Sequence, residues 1–588
     1  MLHAPRRPPR SGGLLRFRRL ALTTTIGGGW RLEGRAWTGD ASYRLTLRNE
    51  PHDPQIQLEL EATYLREVVS LLEVLRFRTG RLQHVAMLDR ALRLVPVVQP
   101  GHAGALTPHV ASFHGDDAEV GLVATEGLQG LRIAPGGRGR FVVDLELEHR
   151  ANHPFWVRRT CTAAPLHPPL RPLMGSQRCP GVRARLRATF AAGPTLPLRL
   201  ARFPRDLQAA VAFTDHADQS SRARLEAFAF GETGAGERGL LGPTFPGFVN
   251  RGLVYTKTVF IRRVPRYWSQ LDNPGYSAVL DRMARRGVEI GVHSPTGGPD
   301  RPADARRLLT AFRALHSGRT WIDHQPDTNC EAVTSRGWRP GPWYMLRHLH
   351  ELGFRYLWSG IDLDLPPDSL NMLAPGRAAT RRPLIYRHSR LGGCADLDLT
   401  LFSSSYLFSS RDRLLRRFSA RALDRLAYER GLLIGHVYLD TWRPRGRFKP
   451  RCLLESTGPG QFQLHPEVDR LFRRLRDRQA RGQLWVTGVG PLADHVSRAM
   501  RTRLRYLSDG VVTVSTATPL PVRDLTLLVP VENARVLVDG RPPKGSRAHA
   551  GVTAVWLDLV PGQPRQLRVL DRDGRPVPLL RPARIVLR

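Results

Sequence analysis

Two parts of the chain alternate apolar and polar residues with a period of two. The first part covers residues 29–201, and the second begins after Arg501 and runs nearly to the end of the chain. Turn residues such as Asp539-Gly540 and Pro561-Gly562 separate the alternating runs in the second part. This period is typical of β-strands with one buried face. We therefore predict a β-rich, sandwich-like domain over residues 29–200 and a small β-sandwich over residues 503–588.

The central segment, residues 201–502, has a different pattern. Stretches with a helical period end at a glycine, and a short apolar strand follows each one. The glycines at these ends are Gly287, Gly318, Gly353, Gly431 and Gly482. Glycine adopts the left-handed conformation that lets a chain turn back after a helix. Five such units after an apolar strand at residues 209–215 predict parallel strands joined by helical crossovers, which is a distorted (β/α) barrel.

Ionisable residues follow several of these predicted strands. The first strand ends in the sequence Asp215-His216-Ala217-Asp218, and three later strands end in histidine. The carboxyl ends of all strands lie on one face of a parallel barrel, so these side chains are expected to converge. The candidate set is Asp215, His216, Asp218, His293, His324 and His436. One buried histidine is often a structural residue, whereas acids and imidazoles at matching positions of several strands favour a functional site.

The composition does not alter the predicted fold or the candidate site. The chain has 588 residues and a formal net charge of +37. Arginine supplies nearly all of the positive charge, because Lys257, Lys449 and Lys544 are the only lysines in the sequence. The arginines are spread over every segment, which does not indicate a specific nucleic-acid site. The field is expected to attract anionic polymers or membrane surfaces non-specifically. Residues 1–28 are predicted to form a disordered basic arm.

The sequence gives no sign of a membrane span or of a cysteine framework. The five cysteines show no C-x-x-C spacing, so neither a disulfide scaffold nor a structural zinc site is expected. No apolar run approaches the ~18 residues that a transmembrane helix needs. The apolar stretch at residues 20–26 contains three threonines and is a poor signal peptide. The expected location is therefore the cytoplasm or a compartment that the sequence does not identify.

Residues 205–501 resemble the polysaccharide deacetylase family (NodB-like, carbohydrate esterase family 4). Five landmarks occur in the order of that family. They are residues 213–218 (F-T-D-H-A-D), residues 293–297 (H-S-P-T-G), residues 321–326 (W-I-D-H-Q-P), residues 353–358 (G-F-R-Y-L-W) and residues 432–436 (L-L-I-G-H). The resemblance implies a deacetylase-type barrel and an enzyme that removes acetyl groups from a polysaccharide or glycan. It also implies a divalent metal cofactor, with zinc expected.

The resemblance assigns roles to the candidate residues. Asp215 matches the general base and His436 the general acid. The implied metal ligands are Asp218 or His216, together with His293 and His324. Three residues that closely follow the last of these strands are expected to shape a platform for the sugar: Tyr438, Asp440 and Trp442.

The sequence departs from the family pattern at three points. Gly297 stands where the second histidine of the second motif is expected. His216 occupies the ligand position directly after Asp215, and Asp218 follows two residues later, so both stay open as ligands. The arginine of the third motif is absent, and Arg387 is a candidate for orienting the base in its place. These departures fit a divergent active site and also a degenerate one.

Three alternative functions follow from the same residues. A degenerate barrel predicts a non-catalytic protein that binds glycans or assists polysaccharide assembly. A glycoside hydrolase requires two carboxylates at a fixed separation across a cleft. Nucleic-acid binding through bulk charge predicts a steep loss of affinity with salt.

Overall fold

A computed structural model gives the fold of the chain. It describes residues 17–577 and 579, apart from residues 25–27, 51–54, 67, 71, 90–91, 105–109, 117–118, 129, 150–154, 158–170, 174–175, 179, 182, 193–197, 219, 232–244, 263–270, 326–327, 339, 374–384, 388–396, 408–410, 442–451, 500, 508–510 and 550. The chain divides into two compact units. The first comprises residues 1–153, 174–206 and 497–588, and the second comprises residues 154–173 and 207–496.

Strands dominate the chain before residue 201. In chain order they are β1 (Arg18–Thr24), β2 (Trp30–Trp37), β3 (Ala41–Asn49), β4 (Gln55–Tyr64), β5 (Val68–Ser70), β6 (Leu72–Arg78), β7 (His84–Leu88), β8 (Leu94–Pro96), β9 (Gly101–Gly104), β10 (Ala111–His114), β11 (Glu119–Glu126), β12 (Gly130–Pro135), β13 (Phe141–His149), β14 (Phe155–Val157), β15 (Arg171–Leu173), β16 (Ser176–Arg178), β17 (Arg183–Ala192) and β18 (Arg199–Leu200).

The amino-terminal part of the first unit contains two larger antiparallel sheets. One has nine strands in the order β1-β2-β3-β4-β17-β11-β10-β7-β8, and the other has four in the order β6-β13-β12-β9. Apolar residues on alternate positions, such as Leu60, Leu186 and Val143, form a common core. The strand β1 corrects the prediction of a disordered arm over residues 1–28, because residues 18–24 pair with β2.

The carboxyl-terminal part of the first unit is also antiparallel. Its strands are β30 (Thr502–Tyr506), β31 (Val511–Thr516), β32 (Val522–Val529), β33 (Arg535–Val538), β34 (Gly545–His549), β35 (Val552–Leu559) and β36 (Arg565–Leu570). They form two four-stranded sheets, β18-β32-β35-β34 and β30-β31-β36-β33. Val514, Leu527 and Val555 belong to one buried cluster between them. The prediction of β-rich segments on both sides of the barrel is confirmed.

The second unit alternates strands and helices. Its elements after residue 207 are β19 (Ala209–Asp215), α1 (Arg222–Phe230), β20 (Thr256–Val259), α2 (Pro274–Arg285), β21 (Glu289–His293), α3 (Pro302–Leu315), β22 (Thr320–Ile322), α4 (Leu346–Glu351), β23 (Tyr356–Asp362), β24 (Ile385–Arg387), β25 (Thr400–Tyr406), α5 (Arg411–Arg417), α6 (Ala420–Tyr428), β26 (Leu432–Val437), β27 (Leu454–Gly458), β28 (Gln461–Leu464), α7 (Pro466–Ala480), β29 (Leu484–Thr487) and α8 (Val489–Ala499). A short π-helical turn spans Val333–Gly337.

Seven parallel strands of this unit close into a barrel. The ring runs β19-β20-β21-β22-β23-β25-β26 and returns to β19, which pairs with both β20 and β26. The strand β29 pairs in parallel with β19 outside the ring, and β24 pairs antiparallel with β25. Every residue of β19 and of β26 is buried, as expected for strands covered on both faces. The predicted (β/α) barrel is confirmed, whereas its deacetylase type is not.

The helix ends agree only partly with the predicted glycine caps. Gly287, Gly353 and Gly482 have positive φ angles of 87°, 84° and 75°. At the end of α6 the left-handed residue is Arg430, with φ 45°, and not Gly431. The helical stretch predicted to end at Gly431 consists of two helices, α5 and α6, and Ser419 caps the second by accepting from the amide of Ala422. No helix among the described residues is long and apolar enough to cross a membrane.

Candidate metal centre and proton-transfer site

The carboxyl ends of four barrel strands bring the candidate side chains to one end of the ring. Asp215 and His293 are the last residues of β19 and β21. His324 follows β22 by two residues, and His436 is the penultimate residue of β26. Parallel pairing of neighbouring strands therefore carries residues far apart in sequence to the same end of the barrel.

Asp218 lies between two of the histidines. Its Oδ2 is 3.1 Å from Nε2 of His293, and its Oδ1 is 3.1 Å from Nε2 of His324. Both histidines are buried, whereas the side chain of Asp218 retains 19% of its exposure. Burial opposes the charge of Asp218, but the two imidazoles hold the pKa of its carboxyl well below the ordinary value. Asp218 is therefore an anion between two imidazole rings.

The backbone fixes which nitrogen of each ring carries the hydrogen. Nδ1 of His293 lies 3.3 Å from the carbonyl oxygen of Ile322, and Nδ1 of His324 lies 2.6 Å from that of Gly297. A carbonyl can only accept, so both Nδ1 atoms donate. Burial, the largest effect, lowers the pKa of His293, which keeps that ring neutral. In a neutral ring whose Nδ1 donates, the lone pair lies on Nε2, and this is the atom that faces Asp218 in both histidines.

Such lone pairs repel a carboxylate unless protons or a metal ion lie between them. Neutral imidazole and carboxylate are the ligands that divalent zinc takes in catalytic sites. A carbonyl that fixes the opposite ring nitrogen is the usual support for such a histidine ligand. His216, Asp218 and His293 offer ligand atoms that all lie within 4.8 Å of one another, a grouping that does not include His324. The residues present therefore fit a divalent metal ion.

Gly297 has a structural role that the motif comparison did not reveal. Its φ angle is +77°, and a Cβ atom at this position would lie 2.9 Å from the ring of Phe260. A histidine side chain therefore cannot occupy this position without moving Phe260. Its backbone carbonyl instead orients His324. Gly297 therefore contributes to the site through its carbonyl group, which supports a histidine that follows the next strand.

His216 lies between the metal candidates and His436. Its ring stacks on that of His436 with 3.9 Å between centroids and meets His293 edge-on at 4.7 Å. Burial, followed by the neighbouring imidazoles, lowers the pKa of His216 well below its ordinary value. His216 is therefore a neutral ring that links the two groups of histidines.

His436 forms a hydrogen-bonded pair with Asp362, a residue at the end of β23. Nδ1 of His436 lies 2.9 Å from Oδ2 of Asp362, whose other oxygen accepts from Ser404 at 2.6 Å. Burial opposes the charge of Asp362, but His436 and Ser404 lower the pKa of the carboxyl. Nε2 of His436 is 3.3 Å from the hydroxyl of Tyr438. An imidazole held in this way can transfer a proton at Nε2.

Half-buried aromatic rings surround this pair. Trp358 meets His216 and His436 edge-on with centroids 5.4 and 5.3 Å away. Tyr406 lies 5.1 Å from His436, and Tyr438 lies 5.3 Å from it. Of these three aromatic residues, the sequence analysis identified Tyr438 alone as a candidate.

Asp215 is enclosed by a buried ion-pair cluster. Oδ2 of Asp215 lies 2.7 Å from Nζ of Lys257, which is also 3.2 Å from Oδ1 of Asp440. Oδ1 of Asp215 accepts from the amide of Leu439 at 2.6 Å. All three charged side chains have no exposed surface. Burial is the largest effect on Asp215 and raises the pKa of its carboxyl to about 7, although Lys257 opposes the rise.

The same cluster ties together the loops that follow β19 and β26. Asp440 accepts a hydrogen bond from Ser220, whose hydroxyl is 2.9 Å from that of Tyr276. Thr441 donates to the carbonyl of Asp218 at 3.4 Å. Asp440, a candidate for sugar contact in the sequence, is thus buried and holds Lys257 and Ser220.

Two other predicted residues do not join the described site. Trp442 lies outside the described residues. Arg387 is the last residue of β24, where it pairs with Thr400, and its side chain lies outside the described atoms. Lys257, which the sequence analysis passed over, holds Asp215 instead. Its one sequence signal was that a lysine is rare in a chain so rich in arginine.

Comparisons with known proteins give no family assignment. No family model and no curated protein matches the chain. Among solved structures, a family GH36 α-galactosidase from Geobacillus stearothermophilus shares 9% identity, covers 95% of this chain and 87% of its own, and has a TM-score of 0.30. An α-galactosidase from Lactobacillus brevis shares 8% identity over 95% and 84%, with a TM-score of 0.29. A galactose mutarotase related enzyme from Lactobacillus acidophilus shares 6% over 30% and 71%, with a TM-score of 0.16.

The predicted membership of the polysaccharide deacetylase family is wrong. The two solved structures named above that cover 95% of the chain are α-galactosidases, not polysaccharide deacetylases, and no family model supports the assignment. The specificity for acetyl groups depended on that resemblance and loses its support with it. Structural similarity with TM-scores of 0.30 or less does not indicate an activity.

Proposed function

We propose that the barrel is a divalent-metal-dependent hydrolase that acts on a carbohydrate. The observation that carries the proposal is that the Nε2 atoms of His293 and His324 each lie 3.1 Å from a carboxylate oxygen of Asp218. Asp218, His293 and His324 would hold the ion, with His216 beside them. A bound zinc ion lowers the pKa of water toward neutrality and polarises an oxygen of the substrate.

His436 is assigned the proton transfer. Because Asp362 accepts from Nδ1, the opposite nitrogen, Nε2, is directed into the site next to Tyr438. Nε2 takes a proton from the attacking water and returns it to the leaving group. Asp215 was the predicted base, but both of its oxygens are occupied and it has no exposed surface. We therefore give Asp215 a positioning role, in which it fixes Lys257 and the loop at Leu439.

The aromatic residues support a sugar as the substrate. Trp358, Tyr406 and Tyr438 keep part of their surface exposed around the His436 ring. Aromatic rings with one polar end suit sugars, because the ring covers the apolar C–H face while the polar end bonds a hydroxyl. The types of these residues and their position around His436 are what support a sugar as the substrate.

The occupied carboxylates favour an ester or amide bond over a glycosidic bond. Glycoside hydrolysis needs two carboxylates that flank the bond, one of them protonated. Asp218 is engaged by two imidazoles, and Asp362 by His436 and Ser404. One polarised carbonyl and one imidazole proton carrier are enough for attack on an ester or amide.

The test is a hydrolysis assay on the zinc-loaded and the EDTA-treated protein. The panel contains sugars with ester-linked and amide-linked acyl groups, and aryl glycosides including an α-galactoside. We expect release of carboxylic acid that EDTA abolishes and zinc restores, and that His436→Ala reduces by about 10²–10⁴-fold. Hydrolysis of an aryl glycoside that EDTA leaves unchanged would overturn the proposal. Absence of both activities, with zinc bound, would favour the non-catalytic glycan-binding alternative.

A further inference from the structure

The nine-stranded sheet of the first unit exposes an unbalanced row of charges. The registers of β2, β3, β4 and β17 place Arg35, Arg44, Glu61 and Arg185 side by side across four strands. Residues at alternate positions on β4 and β17 point to the other face, into the core. This row therefore lies on the outer face of the sheet.

Arg35 has no ion-pair partner among the described residues, whereas Arg44 lies opposite Glu61 and helps to lower the pKa of that carboxyl. Arg185 pairs with Glu61 and with Glu59, each at 2.8 Å. Arg35 stands directly opposite Arg44, and among the described residues neither forms an ion pair. Like charges directly opposite each other destabilise a sheet. The pairing of Arg35 with Arg44 therefore has no stabilising role in the fold.

The adjacent row places an exposed tryptophan beside these charges. Trp37, Ser42, Thr63 and Arg183 face one another across the same four strands. The side chain of Trp37 faces solvent, and the residue is 64% exposed. An exposed indole next to cations and hydroxyl groups offers a flat apolar surface with polar groups beside it. We call these two rows the basic sheet face.

We propose that the basic sheet face binds a polysaccharide that carries carboxylate groups. Trp37 stacks on a sugar ring, and the guanidinium groups of Arg35 and Arg44 pair with carboxylates through their two-pronged donors. The flat face suits an extended polymer. The binding needs none of the barrel residues, so it stands apart from the proposed hydrolysis.

Charge density favours this partner over nucleic acid. Duplex DNA carries one negative charge per about 1.7 Å of its axis. Glu61 and Glu59 lie among the arginines and would repel such closely spaced phosphates. A polyuronate has at most one carboxylate on each sugar ring, which lets its charges meet Arg35 and Arg44 and avoid the glutamates.

The experiment measures binding of the full chain to sodium polygalacturonate in about 0.15 M salt, where bulk attraction is screened beyond about 8 Å. Dextran, a neutral polymer, and duplex DNA are measured in parallel. The variants are Trp37→Ala, Trp37→Phe and Arg44→Ala. Arg505→Ala is the matched control, because it removes one exposed strand arginine of the same unit on a different sheet. Unchanged unfolding midpoints confirm that each variant is folded.

We expect Trp37→Ala and Arg44→Ala each to weaken polygalacturonate binding about tenfold, while Trp37→Phe restores most of it and Arg505→Ala changes it less than about twofold. Equal losses in Arg44→Ala and Arg505→Ala would show binding by bulk charge and overturn the proposal. Tighter binding of DNA with the same dependence on Trp37 and Arg44, equal binding of dextran, or no binding to polygalacturonate would also overturn it. Asp218→Asn binds as the unchanged protein does, which separates this surface from the barrel site.

Discussion

Nζ of Lys257 lies 2.7 Å from the carboxylate of Asp215 in a part of the barrel where neither side chain has any exposed surface. Burial alone would lower the pKa of Lys257, but Asp215 and Asp440 raise it above its ordinary value, so the ammonium group stays charged. A buried charge requires partners of this kind, since removing one of them leaves the other uncompensated. The cluster therefore belongs to the structural support of the site.

Replacing this lysine tests that support. We expect Lys257→Met to lower the free energy of unfolding by about 3–5 kcal/mol at pH 8, because it leaves two buried carboxyl groups without a counter-ion. Urea unfolding measures the effect. Lys544→Met is the matched control: Lys544 pairs with Asp524 and Asp558 at an exposed position, where such pairs contribute less than about 1 kcal/mol. Equal losses in the two variants would contradict a special role for Lys257.

Zinc binding distinguishes the ligands from the neighbouring ring. We expect His293→Ala and His324→Ala each to weaken zinc binding by more than about 100-fold, since each removes one direct ligand. His216→Ala is expected to retain zinc, because Asp218 contacts the other two rings. Isothermal titration measures the affinities, and His348→Ala on the outer helix α4 is the control. Loss of zinc in His216→Ala with retention in His324→Ala would transfer the third ligand position to His216.

Gly297, which lies between β21 and β22, has little room for a side chain, and this leads to a prediction. Gly297→Ala places a methyl group 2.9 Å from Phe260 at a positive φ angle. We expect a loss of stability of about 2–4 kcal/mol and weaker zinc binding, because Phe260 or the carbonyl that holds His324 must move. Gly252→Ala is the control, since its φ is +75° but nothing lies within 4 Å of the added methyl group. The control variant is expected to lose about 1–2 kcal/mol and no zinc affinity.

Asp362 is predicted to act through His436. Asp362→Asn removes the charge that fixes the ring and stabilises its protonated form, so we expect kcat to fall by about 10²–10⁴-fold with zinc content unchanged. Asp364→Asn, an exposed residue two positions later, is expected to stay within about twofold of the unchanged protein. A rise in KM alone, with kcat intact, would show that Asp362 binds substrate and does not position His436.

The buried carboxyl group of Glu331 leads to the prediction that the protein loses stability as the pH rises. Both of its carboxylate oxygens are buried with no hydrogen-bond partner among the described residues, and burial raises the pKa of Glu331 to about 8. A raised pKa means that the folded state keeps a proton that the unfolded state has lost, so its stabilising contribution is complete below about pH 4.5 and disappears as the pH rises through about 8. We expect unfolding free energy to fall by a few kcal/mol over this interval.

The control for this pH dependence is Glu331→Gln, which cannot ionise. Its unfolding free energy is expected to show a smaller decrease between pH 6 and pH 9 than that of the unchanged protein. Urea unfolding at four pH values between these limits measures both curves. Parallel curves would exclude Glu331 as the source of the effect.

The convergence of distant residues was predictable because strand ends carry their own signal. The apolar runs that end at Asp215 and His293 are local features, and parallel topology does the rest. The alternating segments likewise predicted antiparallel sheets on both sides of the barrel. These features are set by residues that are close together in the chain, so they can be predicted from a single sequence.

The supporting contacts could not be predicted, because they join residues that are far apart and individually ordinary. Lys257 lies in the short strand β20, and none of its neighbours in the sequence indicates that two aspartates surround it. Gly297 was recognised as a missing histidine, whereas its carbonyl contact with His324 depends on the path of two loops. Arg430 adopts the left-handed conformation that was expected at Gly431, because the turn closes one residue earlier.

His293 and His324 each depend on a peptide carbonyl, from Ile322 and Gly297, for the placement of their hydrogen. A carbonyl oxygen is present whatever side chain a residue carries. Evolution can therefore exchange the amino acids around the two rings without losing the correct tautomer, provided that the course of the main chain stays the same. Divergence of sequence in this region is therefore compatible with retention of the proposed metal site.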